Sequence, residues 1–139
     1  MTRVAIATCR GENVDPDSAV LLGALSDEGV TGEMRVWDDP KVQWSDYELV
    51  VLRSTWDYAA RRDEFLAWAR AVPRLANPYE VVVYSSDKHY LADLANRGVS
   101  VVPSMFCDVG ERPEFPDVNF VVKPCVWAGS IDADRYGAH

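Results

Sequence analysis

The chain has 139 residues, 48% of them hydrophobic, with five Trp and six Tyr, which is enough for a buried core at about one domain's length. Its 22 acidic residues against 14 basic ones leave a net charge of −8, which argues against nucleic acid or an anionic membrane as the main partner, because both need a basic face. No apolar stretch approaches the roughly 20 residues that span a bilayer, the N-terminal run reads as a first strand and not as a signal peptide, and three scattered cysteines without a CxxC (Cys9, Cys107, Cys125) argue for free thiols in a cytoplasmic protein, not a zinc site or a disulfide framework.

In chain order, "RVAIAT" (3–8) is a short β-branched apolar run and predicts a buried strand. "DPDSAVLLGALSDEG" predicts a helix, with Asp15 as its cap, Pro16 at the first helical position and Gly29 as its stop. "VTGEMRVW" (30–37) is a second strand, and Asp38–Asp39 before Pro40 reads as a turn. "LVVLR" (49–53) is a third strand, apolar enough to be covered on both faces. This βαβ rhythm predicts a parallel sheet.

Further on, Phe65, Leu66, Trp68, Ala69 and Val72 recur at helical spacing. "RLANP" predicts a fourth short strand closed by Asn-Pro. From Ser85, "SSDKHYLADLANRG" predicts a helix with Lys88 in its first turn and Gly98 at its end. "VSVVPSMF" (99–106) reads as a strand, "CDVGERPEFPDV" as a Pro/Gly loop and "NFVVKPCV" as a last strand. The pattern gives a three-layer α/β unit over 1–84, then a helix and two strands over 85–139. The second part is too small to close a core and looks like the start of another domain.

Polar residues gather where such a sheet binds ligands, beyond the carboxyl ends of its strands. Arg53, Ser54, Thr55 and Asp57 follow the third strand with Trp56 and Tyr58 as flat walls, and "TCRGEN" (8–13) follows the first. The competing role for such residues is capping the next helix. Lys123 closes an apolar run, either as an edge-strand lysine that blocks aggregation or as a fixed point charge for a phosphate. The small residues after it could close backbone N–H groups over phosphate oxygens. Neither GxxxxGK[ST] nor GxGxxG occurs. At a helix start, Lys88 sits against the macrodipole, compensated either by an anionic ligand or by Asp87 or Asp93. No Ser–His–Asp or Cys–His set is present, and His89 reads as a surface residue.

Taken together, these residues resemble a family. Lys88 opening a helix, Gly98-Val99-Ser100-Val101-Val102-Pro103, then Lys123-Pro124 and Ala128-Gly129-Ser130 resemble the opening of an ATP-grasp ligase. Val36-Trp37-Asp38-Asp39-Pro40 and the segment Val51 to Tyr58 resemble the glutathione-synthase-like branch that contains the cycloserine-forming ligase. The resemblance implies a pre-ATP-grasp domain over 1–84 and a truncated first part of an ATP-grasp domain over 85–139. It implies ATP-dependent carboxylate–amine ligation through an acyl phosphate, on an amino-acid-like substrate, with cycloserine-type ring closure and a place in antibiotic biosynthesis. Lys88 and Lys123 would contact ATP, with Ala128, Gly129 and Ser130 covering its phosphates. Arg53, Ser54, Thr55 and Asp57 would touch the substrate. The Mg²⁺ ligands and the adenine-clamping hinge of the family lie beyond position 139, so the chain alone is not expected to be a competent ligase. ATP and a small substrate are the implied partners, without nucleic acid or membrane; a homo-oligomer is compatible with the reading. The alternative is a non-catalytic α/β small-molecule-binding or interaction module that kept the fold. A flavodoxin-like domain ranks below both, for want of a phosphate-binding Ser/Thr/Gly loop after the first strand.

Overall fold

A computed structural model describes residues 2–11, 14–128 and 132–137. It divides into two compact units, Met1–Val83 and Tyr84–His139.

The first unit is built on three parallel strands, β1 (Arg3–Thr8), β2 (Thr31–Val36) and β3 (Leu49–Ser54), in the order β2-β1-β3. The α/β class and parallel sheet expected from the sequence are present. Side chains alternate across the sheet, so β1 serves two layers. Val4 and Ile6 pair in register with Gly32 and Met34 on the face that receives α1 (Ser18–Asp27). A Cβ at Gly32 would lie 2.7 Å from Leu25 Cδ1 and 2.8 Å from Leu22 Cδ2, so the missing side chain lets α1 approach β2. On the opposite face Ala5, Ala7 and Val50 pack with Phe65 and Ala69 of α2 (Arg62–Ala71), Val72, and Val82 of α3 (Tyr79–Ser85). The small Ala5 and Ala7 leave room for rings: Trp37 meets Phe65 edge-on at 5.4 Å, and Trp68 lies 5.5 Å from Phe65.

The sequence placed the strands and α2 well and missed details at the ends. α1 starts at Ser18, and Asp15 does not cap its first turn; its carboxylate turns to Arg53 instead. Gly29 (φ +73°) does end the helix: its N–H donates to the Ser26 carbonyl and that of Val30 to Leu25, closing a Schellman motif. The predicted fourth strand is a single parallel bridge, Val50 to Leu75. Its ladder stops because the Asn77 side chain, at 3.2 Å, takes the Leu52 N–H in place of a backbone carbonyl, and Pro78 has no N–H to donate.

In the second unit the helix expected from Ser85 is shorter. Ser85 ends α3, and α4 spans Tyr90–Asn96. The interruption has a local cause: the Lys88 N–H leaves the helical path to bond the Cys125 carbonyl at 2.9 Å, and the Asp87 carboxylate accepts the His89 N–H at 3.0 Å in an Asx turn. Gly98 (φ +79°) terminates α4 as the sequence predicts. Residues 99–106 form no strand. Pro103 lacks a donor, and Val99 spends its N–H on the Leu94 carbonyl. Phe120–Val122 form β4, which pairs antiparallel with β5 (Asp134–Tyr136), a partner the sequence did not announce. Phe115, Phe120 and Tyr136 stack in series at 5.1 and 5.3 Å.

Candidate functional site

Each unit carries a polar cluster, and they are described separately. In the first, the cluster lies at the carboxyl ends of the strands. The pairing of β1 with β3 slips between Ala7 and Thr8, so that Thr8 pairs with Ser54 and Arg53 is the extra residue. Such a bulge re-aims side chains. Thr8 and Ser54 share a hydroxyl–hydroxyl bond of 2.8 Å, and Ser54 Oγ lies 3.3 Å from Asp15 Oδ2. Arg53 Nε donates to that same oxygen at 2.7 Å. The Arg53 hydrogen bond holds the Asp15 carboxyl below its ordinary range. Of the four residues expected to touch substrate, Ser54 (1% exposed) and Thr55 (7%) are interior, whereas Arg53 and Asp57 lie at the rim with side chains 39% and 37% exposed.

A second set adjoins it, and sequence reasoning missed most of it. The Asp39 N–H donates to the Val36 carbonyl, closing a turn whose central residues are Trp37 and Asp38. Arg61, in the 3₁₀ turn Trp56–Arg61, places both terminal nitrogens 2.9 Å from Asp38 Oδ2 and lies 4.6 Å over the Trp37 ring. Asp57 joins from the other side, accepting Trp37 Nε1–H at 2.8 Å and Arg61 at 3.3 Å. Arg10, from the loop after β1, comes within 3.3 Å of Asp38 Oδ1. Burial pushes the Asp38 carboxyl up, but the Arg61 hydrogen bonds and the charges of Arg10 and Arg61 outweigh it, and the net shift is downward. The turn reading of Asp38–Asp39 was correct as geometry. The carboxyl-end rule, applied to β2 as it was to β1 and β3, would have flagged Asp38.

In the second unit one of the two lysines singled out by the sequence, Lys88, bonds the segment that follows the other, Lys123. Lys88 lies just before the helix, next to His89 at the N-cap, not in the first turn. Its Nζ donates to the Trp127 carbonyl at 2.9 Å and to that of Cys125 at 3.3 Å. Lys123 directly follows β4. Burial first, and then the like charge of Lys123, depress the Lys88 pKa. Burial, with the Asp87 charge next, pushes the Cys125 thiol up. His89 stacks on Phe106 at 4.4 Å and its Nδ1 lies 2.6 Å from Asp87. Ala128 follows the carbonyls that hold Lys88; Gly129 and Ser130 lie outside the described residues. The three cysteines are free thiols. No helix among the described residues is long and apolar enough to cross a membrane.

Residues 4–77 match the family model described as the D-cycloserine synthetase DcsG, N-terminal domain. The cycloserine biosynthesis protein DcsG of Streptomyces lavendulae is 40% identical over 138 residues, covering 88% of this chain and 46% of the relative. The crystal structure of D-cycloserine synthetase DcsG superimposes with a TM-score of 0.86 at 38% identity, covering 98% of this chain and 50% of that one. The chain therefore spans about half the length of the relatives it matches.

Proposed function

This chain belongs to the D-cycloserine synthetase DcsG N-terminal domain family, and we propose that it forms the N-terminal part of an ATP-dependent ligase of antibiotic biosynthesis that closes a cycloserine-type ring on an amino-acid-like substrate. In this reading ATP phosphorylates a carboxyl-type group, and a nitrogen of the same molecule displaces the phosphate. The chain's own contribution is electrostatic and positional, the main resources for phosphoryl transfer. Lys88 and Lys123 are the cations for the triphosphate. The backbone at Ala128, Gly129 and Ser130 covers it, and the carboxyl edge of the first unit's sheet, with Arg53 and Asp57 at the rim and Ser54 and Thr55 as interior supports, takes the substrate.

The observation that carries the reading is the part-buried Lys88 ammonium, held at 3.3 and 2.9 Å by the carbonyls of Cys125 and Trp127 in the segment that follows Lys123. A charge drawn partly out of water is unfavourable unless it is compensated. The Lys88 ammonium is meanwhile held by two carbonyls, which supply dipoles but no charge. Among the described residues, no group of three or more His, Cys, Asp or Glu is arranged to hold a metal ion.

The test is a product assay on the full-length protein with ATP and small amino-acid substrates bearing a terminal nitrogen. Acyl-phosphate chemistry releases ADP and inorganic phosphate only when substrate is present. AMP and pyrophosphate, or no nucleotide binding in calorimetry, would overturn it and leave the non-catalytic binding module.

A further inference from the structure

We propose that Arg10 and Asp38 form a clamp for the head of a free α-amino acid, the Arg10 guanidinium taking its carboxylate and Asp38 Oδ1 taking its ammonium. The proposal rests on the ligase reading for the substrate class and deepens it by naming the groups that hold the substrate's head.

Three observations carry it. First, Asp38 is held firmly by one oxygen only. Oδ2 receives both Arg61 nitrogens at 2.9 Å, and Arg61 is fixed in turn by the Trp37 ring and by Asp57. Second, the other oxygen has work left to do. Oδ1 is out of solvent and accepts no hydrogen bond among the described residues; Arg10 is 3.3 Å away, near enough to pair in charge but not aligned to donate. Buried acceptors are almost always satisfied, and an exception calls for a partner. Third, the Arg10 side chain is 65% exposed, so most of its donors face water and can turn outward at little cost. A carboxylate that draws Arg10 outward frees Oδ1 to accept from an ammonium group beside it.

Charge balance favours a zwitterion. Among the described residues, Arg10 and Arg61 face Asp38 and Asp57, two cations against two anions. Glu64, 3.8 Å from Arg61, has a side chain 68% exposed and is screened by solvent. A ligand with one charge of each sign enters without leaving any buried charge uncompensated, whereas a phosphate or a simple amine does not. A guanidinium also matches a carboxylate with two parallel donors.

The experiment is a ligand-observed NMR titration of the full-length protein with both enantiomers of serine, with serinamide, which lacks the carboxylate, and with N-acetylserine, which lacks the ammonium. Wild type is expected to bind at least one serine enantiomer, and each capped derivative at least tenfold more weakly. Arg10→Ala is expected to lose about tenfold for serine and nothing for serinamide; Asp38→Asn loses likewise for serine and nothing for N-acetylserine. Equal binding of serine and its capped forms, unchanged serine affinity in Arg10→Ala, or no serine binding by wild type would each overturn the clamp. Should Asp38→Asn fail to fold in a thermal melt, the exposed Arg10→Ala decides alone, through the serine and serinamide comparison. ATP titrated separately against wild type tells the two readings apart: nucleotide binding without serine binding sinks only the clamp, and serine binding with the expected variant losses but no nucleotide binding sinks only the ligase.

Discussion

The Lys88 ammonium lies 2.9 Å from the carbonyl oxygen of Trp127. Thirty-nine residues separate the two in the chain, and their meeting makes one lysine serve two roles: it supplies a charge, and it ties the segment after Lys123 to the start of α4. A phosphate arriving at Lys88 would compete with two backbone carbonyls for the same ammonium.

The two lysines are therefore expected to fail differently. Lys88→Ala and Lys123→Ala should each weaken ATP binding by about tenfold or more in calorimetry, the effect of removing one charged hydrogen-bond donor, about 1.5–3 kcal/mol. Only Lys88→Ala should also speed amide hydrogen exchange across residues 124–128, because only Lys88 holds that backbone. Unchanged nucleotide affinity in both variants would retire the assignment.

Ser54 joins the sheet to its polar rim. It is 1% exposed and bonded to Thr8 and Asp15. Ser54→Ala removes the 2.8 Å partner of the Thr8 hydroxyl, which keeps the Cys9 and Ser54 carbonyls at 3.4 Å, and is expected to cost about 0.5–1.5 kcal/mol, the usual net contribution of a hydrogen bond. Urea denaturation would show a lower midpoint at constant slope.

Gly32 tests the packing of α1. A methyl group there would press on the ends of Leu22 and Leu25 at 2.8 and 2.7 Å. Both are flexible side chains, so Gly32→Ala is expected to be tolerated at a cost of about 1–3 kcal/mol, typical of overpacking. Relief by Leu25→Ala in the double variant, read as non-additivity in thermal melts, would locate the strain.

Acid should unfold the first unit in a definite window. Asp15 and Glu33 are held below their ordinary values of 3.8 and 4.5, first by hydrogen bonds from Arg53 and Arg3 respectively. The folded chain thus binds fewer protons than the unfolded one near and below those values. Stability is fully present above about pH 4.5 and drains away as pH falls through the depressed folded-state values. Glu33→Gln is expected to lower stability at neutral pH and to flatten its decline below pH 4.5; a parallel decline in wild type and variant would contradict this account.

Most of the elements read correctly in the sequence were legible for a local reason. A β-branched run such as Val4–Thr8, helical spacing from Phe65 to Val72, and glycines at positions 29 and 98 that adopt φ +73° and +79° are features of a few neighbouring residues, and the backbone answers to them directly. The break before α4 was not legible, because its cause is a hydrogen bond to Cys125 that local propensity cannot see. β5 was missed for a similar reason: a three-residue strand exists only through its partner β4.

The sequence by itself determined the alternation of strands and helices, the parallel sheet it demands, and the lysines and strand-end polar residues to watch. Only the tertiary structure decided which of them meet. It sent Asp15 to Arg53 across thirty-eight positions and not to the helix it precedes, and it buried Ser54 and Thr55 while leaving Arg53 and Asp57 at the rim. It also joined Arg10, Asp38 and Arg61 at one edge of the sheet. The reason is physical: spacing along the chain sets which face a residue shares with its neighbours, whereas hydrogen-bond and charge partners are set by register, bulge and packing between segments far apart in sequence.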